Sequence, residues 1–232
     1  MRALDVVTSF TVSALRLGAG RAVGPLGTRP AQRLELFDFE ACPFCRKVRE
    51  ALSVLDLEVM LYPCPKRGER YRSVLHERGG KLQFPYLVDA NAGVELYESD
   101  AIIAHLFERY GDGRVPVWLA LGPLTDLGST IAGLARAARG VVAESSRAPE
   151  QPLALWSFEA SPYCRLVRER LCELELPYVL HNVAAGSPRR EAFPERDSGL
   201  QVPYLADPNT GARLFESADI VRYLDREYSE GR

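Results

Sequence analysis

The sequence predicts an α/β protein built from two tandem units, each with the element order β-α-β-α-β-β-α, with extra N-terminal and linker helices. Two observations carry this prediction. The chain repeats itself at an offset of 119 residues, and within each copy short apolar strands alternate with amphipathic helices. With 232 residues, the chain is long enough for two modest hydrophobic cores.

The internal repeat is dense and keeps one order. The segment 34–46 aligns with 153–165 and, after a one-residue gap, Phe84–Ser99 aligns with Val202–Ser217, with nine of sixteen positions identical. Matches of this density are hard to obtain by chance. Because each copy is domain-sized and there are two of them, we interpret the repeat as tandem domains rather than a solenoid.

Each copy carries the same predicted elements. In the first copy, an apolar strand at Leu34–Phe39 leads to Pro43, a residue suited to the first turn of a helix that runs to about Asp56. The other predicted elements of this copy are a strand at Glu58–Tyr62, a short helix at Lys66–Arg78, strands at Pro85–Asp89 and Val94–Tyr97, and a helix at Glu98–Tyr110. The second copy repeats this order from Leu153 to Tyr228.

The repeat divides the chain into four segments. We expect an N-terminal helical segment at 1–32, a first domain at 33–112, a helical linker at 113–151 and a second domain at 152–232. The composition of the first segment is also that of an organelle transit peptide. Apolar residues nevertheless have similar helical spacing in 4–24 and 124–144, just before each copy, which favours a structured N-terminus.

The composition excludes several classes of function. A net charge of -2 offers no basic field for nucleic acid, and no apolar stretch is long enough for a transmembrane segment. Five cysteines are too sparse for a secreted disulfide framework, so we expect a reducing compartment. That compartment is the cytoplasm or, if the N-terminus is a transit peptide, an organelle such as a plastid. Whether the protein is a homo-oligomer is left open.

The turn Cys-Pro-Phe-Cys, from Cys42 to Cys45, lies between the first predicted strand and the helix that follows it. Free N–H groups and the dipole at a helix start favour thiolate over thiol, so we expect a lowered pKa for Cys42. Arg46, Lys47 and Arg49 are expected to add nearby positive charge. A thiolate at Cys42 can attack a disulfide, and Cys45, one turn further, can resolve the mixed disulfide.

A Cys-x-x-Cys pair is also half of a zinc site. Zinc normally needs a second pair or histidine partners. The second copy offers Cys164 at the matching place, and the three histidines are scattered singly. The pattern therefore favours redox chemistry, and we expect no metal.

Taken in order, the segment 40–49, then Phe84-Pro85-Tyr86, then Glu98-Ser99 resembles the glutaredoxins and the thioredoxin-like N-terminal domain of glutathione transferases. The resemblance covers about 80 residues of each copy. It implies a thioredoxin-like fold for both units. It also implies glutathione as a cosubstrate, with thiols and disulfides as the other substrates.

The resemblance also implies the binding residues. Pro85 matches the family's cis-proline, which turns the backbone of Phe84 towards the cysteine of bound glutathione. Glu98 and Ser99 match the pair that holds the γ-glutamyl end, and a serine at a helix start can receive a carboxylate. The second copy has the corresponding set: Val202, Pro203, Glu216 and Ser217.

The second copy departs at the reactive position, because its turn begins with Ser161 and ends with Cys164. A hydroxyl without a base does not carry out thiol–disulfide exchange. It could donate a hydrogen bond to a glutathione thiolate, as in serine-type transferases. Those enzymes carry an all-helical domain for the electrophile, whereas this sequence ends at Arg232, just after the second copy. We therefore expect a degenerate or glutathione-binding site.

The sequence thus favours a glutathione-linked thiol–disulfide oxidoreductase with Cys42 as nucleophile and Cys45 as resolving residue. Two alternatives stay open. One is a transferase-like enzyme that conjugates glutathione to electrophiles. The other is a non-catalytic thiol-binding or interaction module, in which the pKa of Cys42 would be ordinary, near 8.5.

Overall fold

The computed structural model describes residues 8–9, 19–120, 139–191, 193 and 201–231. The strands are β1 Leu34–Asp38, β2 Val59–Pro63, β3 Tyr86–Asp89, β4 Val94–Tyr97, β5 Leu153–Ser157, β6 Tyr178–Asn182, β7 Tyr204–Asp207 and β8 Ala212–Phe215. The helices are α1 Pro43–Val54, α2 Arg72–Gly79, α3 Ser99–Tyr110, α4 Val117–Ala120, α5 Pro162–Glu173 and α6 Ser217–Tyr228. The predicted α/β class, with two tandem thioredoxin-like units, is confirmed.

The second helix of each unit differs from its prediction. In the first unit α2 begins at Arg72 rather than at Lys66. Two features keep the residues before Arg72 out of the helix: Arg67 has a left-handed φ of 62°, and the N–H of Arg70 donates to the Glu175 carboxylate of the second unit. In the second unit a 3₁₀ turn at Pro188–Arg190 stands at this place, and residues 194–200 lie outside the described part.

The described strands form one sheet in the order β4-β3-β1-β2-β6-β5-β7-β8. Within each unit the first two strands are parallel and the hairpin is antiparallel. The units meet edge to edge, because β2 pairs antiparallel with β6 through Val59↔Leu180, Met60↔Val179 and Leu61↔Tyr178. An approximate two-fold therefore relates the units, and β1 and β5 run in opposite directions.

One hydrophobic core spans both units. It joins buried residues of the first unit, such as Leu36 and Leu52, to those of the second, such as Leu155 and Leu171. A second cluster around Phe37 lies between the strands of the first unit and α2. Burying apolar area across the seam stabilises the pair as a single body, at roughly 25 cal/mol per Å² removed from water.

Two extended segments cross between the units. Residues 19–32 bond through Val23 to Ala185 of the second unit and through Gly24 to Val54 of the first. Residues 139–147 make the equivalent crossing, with an isolated bridge between Val142 and Lys66.

The described parts of the flanking segments are helical at 8–9 and at α4, and the helices expected within 4–24 and 124–144 lie largely outside the described residues. The sequence predicted helices within 1–32 and 113–151, and α4 is the described helix in the second range. Glycines interrupt both segments: Gly20 and Gly140 have left-handed φ values of 76° and 65°. The apolar runs at 10–18 and 121–138 lie outside the described residues. Among the helices that are described, none combines the length and apolar character needed to cross a membrane.

Candidate active site

The Cys42 turn lies where the sequence placed it, at the start of α1. Cys42 is the N-cap residue, and its Sγ accepts the backbone N–H of Cys45 at 3.5 Å. Cys42 is 5% exposed, Cys45 is fully buried, and Phe44 between them is 44% exposed. The turn therefore presents an aromatic ring to solvent, with the two sulfurs just beneath it.

The two thiols have opposite acidities. The pKa of Cys42 is lowered, first by a side-chain hydrogen bond with Cys45, which acts against burial, and then by backbone N–H groups of Cys45 and Phe44. The pKa of Cys45 is raised well above its ordinary value, first by burial and then by the hydrogen bond with Cys42. A helix start thus separates a nucleophile from a residue kept protonated.

The basic residues of α1 do not face Cys42 as the sequence suggested. Lys47 binds Asp100 of α3 at 2.7 Å, and Arg46 lies 3.8 Å from Glu159 of the second unit. Arg49 is buried and pairs with Asp38. These cations pair with carboxylates, and the lowered pKa of Cys42 comes from the hydrogen bond with the Cys45 side chain and from the backbone N–H groups of Cys45 and Phe44.

Arg49 belongs to a buried ion cluster at the seam between the units. We call this set the seam cluster: Asp38, Glu40, Arg46, Arg49, Glu159, Arg165 and Arg168. The guanidinium of Arg49 contacts Glu159 at 3.1 Å and Glu40 at 3.3 Å, and that of Arg168 contacts Glu40 at 3.1 Å and Glu159 at 2.9 Å. Each arginine therefore bridges the two units.

Asp38 has no charged counterpart in the second unit, where Ser157 stands at the equivalent position. Its carboxylate accepts from Arg49, and its carbonyl accepts the N–H of Cys64 at 2.6 Å. Burial raises the pKa of Asp38 to about 6, although Arg49 acts in the opposite direction. The Asp38 charge also acts to raise the pKa of both active-site thiols.

The Phe84-Pro85 loop lies beside the Cys42 turn. The rings of Phe84 and Phe39 meet edge to face, with centroids 5.9 Å apart, and Phe39 directly follows β1. The Phe84–Pro85 peptide bond is cis, and so is Val202–Pro203 in the second unit. The guanidinium of Arg72 lies 4.8 Å from the centre of the Phe84 ring. The first site therefore has an aromatic rim.

The Glu-Ser pairs occupy the starts of α3 and α6 in the same strained conformation. Glu98 and Glu216 have left-handed φ values of 66° and 63°, which is unusual for glutamate. Neither glutamate side chain accepts a hydrogen bond from the first N–H groups of the helix that follows it. Glu98 instead accepts from Gln83, and Glu216 accepts from Gln201.

The second unit has the same frame around a hydroxyl. Ser161 caps α5, and its Oγ accepts the N–H of Cys164 at 3.3 Å. Next to this turn lies a cleft of about 340 Å³, lined by Tyr163, Gln201, Val202, Pro203, Glu216 and Ser217. The structure thus brings the predicted residues of the second set together, and Tyr163 links the cleft to the Ser161 turn.

One family model matches both units. The model described as "Glutathione S-transferase, N-terminal domain" matches residues 36–114 and again 155–232, together more than half of the chain. The chain belongs to the glutathione S-transferase N-terminal domain family. No curated protein and no solved structure matches it significantly. The first matched range contains the Cys42 turn and the second contains the Ser161 turn.

Membership in this family makes the chain a glutathione-related protein of thioredoxin fold, since such domains typically bind glutathione. Within the described residues, no group of three or more histidine, cysteine or acidic side chains is arranged to hold a metal ion. The first site offers the two thiols and the N–H donors around them.

Sequence reasoning missed the seam cluster. Charged residues on α1 and α5 have the spacing of a solvated helix face, which hides their burial. A signal was present, because Glu40, Arg46 and Arg49 recur in the second copy as Glu159, Arg165 and Arg168. Charges that repeat outside the expected binding residues indicate a structural partner.

Proposed function

We propose that the protein is a glutathione-linked thiol–disulfide oxidoreductase, with Cys42 as nucleophile and Cys45 as resolving residue. The observation that carries the proposal is the split in acidity at the start of α1. A hydrogen bond with the Cys45 side chain, aided by backbone N–H donors, lowers the pKa of Cys42, while burial raises the pKa of Cys45. A nucleophile of low pKa next to a protected thiol is the arrangement that disulfide exchange requires.

The reaction is a two-step exchange. The Cys42 thiolate attacks one sulfur of a disulfide, the S–S bond breaks, and the leaving thiolate takes a proton from solvent. Cys45 loses its proton and attacks the Cys42 sulfur, which releases the second thiol and leaves a Cys42–Cys45 disulfide. Two molecules of glutathione then reduce this disulfide and become glutathione disulfide, so atoms and electrons balance.

Glutathione is placed by the loop at Phe84-Pro85 and the start of α3. The N–H groups at Ser99 suit the γ-glutamyl carboxylate, and the helix dipole adds to this attraction. Glu98, held by Gln83, can accept from the ammonium group. The rim of Phe39, Phe44 and Phe84 offers apolar contact to the other half of a mixed disulfide.

The second unit is proposed to bind glutathione without exchange. The cleft of about 340 Å³ beside Tyr163 has the Val202, Pro203, Glu216 and Ser217 set in place. Ser161 stands where a thiolate would be needed, so no mixed disulfide can form there. A bound thiol tripeptide would be held by hydrogen bonds and by the start of α6.

The proposal is tested by glutathione-dependent reduction of a mixed disulfide, followed by coupled oxidation of NADPH through glutathione reductase. Cys42→Ser should abolish turnover. Cys45→Ser should keep reduction of glutathione mixed disulfides, which needs one thiol, and lose reduction of protein disulfides. Cys164→Ser, at the equivalent buried position of the second unit, should leave both unchanged. Absence of turnover in the wild type would overturn the proposal and favour a binding module.

A second candidate function is conjugation of glutathione to an electrophile at Ser161. The cleft is the observation that favours it, because Tyr163 of the Ser161 turn lines a space in which an electrophile could lie beside bound glutathione. Its test is conjugation of 1-chloro-2,4-dinitrobenzene, comparing wild type with Ser161→Ala. A rate that survives Cys42→Ser and falls in Ser161→Ala would support this function.

A further inference from the structure

Glu40 lies two residues before Cys42, and the second unit holds its side chain. Arg168 donates from Nε to Glu40 Oε2 and from Nη2 to Glu40 Oε1, both at 3.1 Å. Both residues are buried. A two-pronged guanidinium–carboxylate pair fixes orientation as well as distance. The approach to the first site is therefore anchored by a side chain that lies outside the first unit.

The backbone of Glu40 is held as firmly as its side chain. Its N–H donates to the Sγ of Cys172 at 3.5 Å, and its carbonyl accepts from Arg49 at 3.0 Å. The Cys172 thiol in turn donates to the carbonyl of Gly140 at 3.4 Å. The Glu40 N–H is therefore held by α5 of the second unit, and its carboxylate is shared between Arg168 of α5 and Arg49 of α1.

The two-fold repeats this arrangement at the other site. Glu159 lies two residues before Ser161, its N–H donates to Ser53 at 3.0 Å, and Arg49 reaches its carboxylate at 3.1 Å. Ser53 occupies in α1 the place that Cys172 occupies in α5. Each unit thus holds the turn of the other, although each family match covers one unit at a time.

A contribution to folding stability does not by itself explain why charged residues are buried between the units. Apolar residues of similar volume at such a seam are often as stabilising as a buried ion pair, or more so, because ions lose their hydration. What a paired arginine and glutamate add is a fixed orientation of the two side chains. Here the fixed side chain is that of Glu40, in the chain segment that presents Cys42.

We propose that Arg168 and Cys172 of the second unit are positioning residues of the first site, which hold Glu40 and thereby the turn that presents the Cys42 sulfur to its N–H donors. The inference rests on the proposed function for its meaning, but its test does not need turnover. The second unit is then required for the reactivity of Cys42, whether or not it binds a ligand of its own.

Several charged or titratable groups face this segment. They come from β1, the turn, α1, the second turn and α5: Asp38, Glu40, Cys45, Arg46, Arg49, Glu159, Arg168 and Cys172. Moving Glu40 would move the turn that follows it, and with it the Cys42 sulfur relative to its N–H donors. Substitutions of Arg168 or Cys172 should therefore act on the pH profile of Cys42, and not simply on folding.

The test measures the rate of Cys42 alkylation by iodoacetamide against pH, with peptide mapping to assign the thiol, and the melting temperature of each variant. Arg168→Lys keeps the charge and loses the two-pronged contact. In this variant the pH midpoint of Cys42 alkylation should rise by at least about half a pH unit. This corresponds to an alkylation rate about threefold lower at pH values below the midpoint. Cys172→Ala should act in the same direction.

Cys172→Ser is the matched control, because serine is the residue at the equivalent place in α1 and restores an acceptor for the Glu40 N–H. It should retain the wild-type profile. Melting temperatures that fall in Arg168→Lys and Cys172→Ala while the Cys42 profile stays unchanged would overturn the proposal and leave a purely structural seam. A shifted profile in a protein without disulfide turnover would support positioning while contradicting the proposed oxidoreductase function.

Discussion

Asp38 and Ser157 occupy equivalent ends of β1 and β5, and each accepts a hydrogen bond from the equivalent arginine of its own unit. Arg49 donates to the Asp38 carboxylate, and Arg168 donates to the Ser157 hydroxyl at 3.1 Å. The unit with the cysteine pair thus has a buried acid where the unit with Ser161 has a neutral group. This is the principal charge difference across the two-fold of the seam cluster.

The acidity of Asp38 should be visible in the pH dependence of stability. Burial raises its pKa from 3.8 to about 6 in the folded protein. Between these values the folded chain holds a proton that the unfolded chain has lost, so this contribution to stability is complete below pH 4 and is lost as pH rises through 6. Relative to Asp38→Asn, wild type should lose about 3 kcal/mol between pH 4 and pH 7.

The measurement is chemical denaturation of both proteins at a series of pH values. Glu108→Gln, on the exposed face of α3, removes a carboxylate without touching the seam cluster and should track wild type. A constant difference between wild type and Asp38→Asn from pH 4 to pH 7 would contradict the assignment.

Glu159 should show the opposite pH dependence. Burial would raise its pKa, but Arg168 and Arg49 outweigh burial and lower it to about 2. Its stabilisation is therefore present above pH 4.5 and is lost as pH falls through 2. Glu159→Gln should lower the free energy of unfolding by about 3 kcal/mol at pH 7, with a difference that closes in acid.

Glu58 provides the matched control for this prediction. Its pKa is also lowered to about 2, first by the hydrogen bond with His181, but its side chain is 27% exposed. Salt screens exposed pairs far more than buried ones. Added salt should therefore reduce the cost of Glu58→Gln and leave that of Glu159→Gln almost unchanged. Equal salt dependence in the two variants would contradict burial of the seam cluster.

The sequence was sufficient for the repeat and for most strands and helices of each unit, but not for how the units meet. Strand and helix bounds such as Val94–Tyr97 follow from turn residues and apolar spacing, which are local properties. The sequence does not show which outer strand of one unit pairs with the other unit, and in the structure β2 pairs with β6. The helix charges at Arg46 and Arg49 were misassigned for the same reason, because a partner 110 residues or more away decides whether a charge is solvated.

Ligand binding should distinguish the two Glu-Ser pairs. If both units bind glutathione, calorimetric titration of Cys42→Ser should show two binding equivalents per chain. Ser217→Ala, at the start of α6, should weaken one of them, and Ser99→Ala should weaken the other, each by about 1–3 kcal/mol because a buried acceptor loses its donor. One equivalent that Ser217→Ala leaves unchanged would show that the second unit does not bind the tripeptide.

The last prediction asks whether the second unit lacks anything besides a sulfur atom. Ser161 and Cys42 have the same backbone conformation, with φ -70° in both and ψ 120° and 123°, and each accepts an N–H from the cysteine three residues later. A thiol at this place would meet the same helix start. In the Cys42→Ser background, Ser161→Cys should therefore create a reactive thiol whose pKa lies below the ordinary 8.5.

This new thiol should be at least as acidic as Cys42. The charge of Asp38 acts to raise the pKa of Cys42, and the second unit has Ser157 in the place of that carboxylate. Alkylation rates against pH, with Cys42→Ser alone as the reference, give the midpoint. An ordinary midpoint would mean that Arg49 and Ser53 do not hold the Glu159 turn as Arg168 and Cys172 hold that of Glu40, and that the two-fold fails at the reactive position.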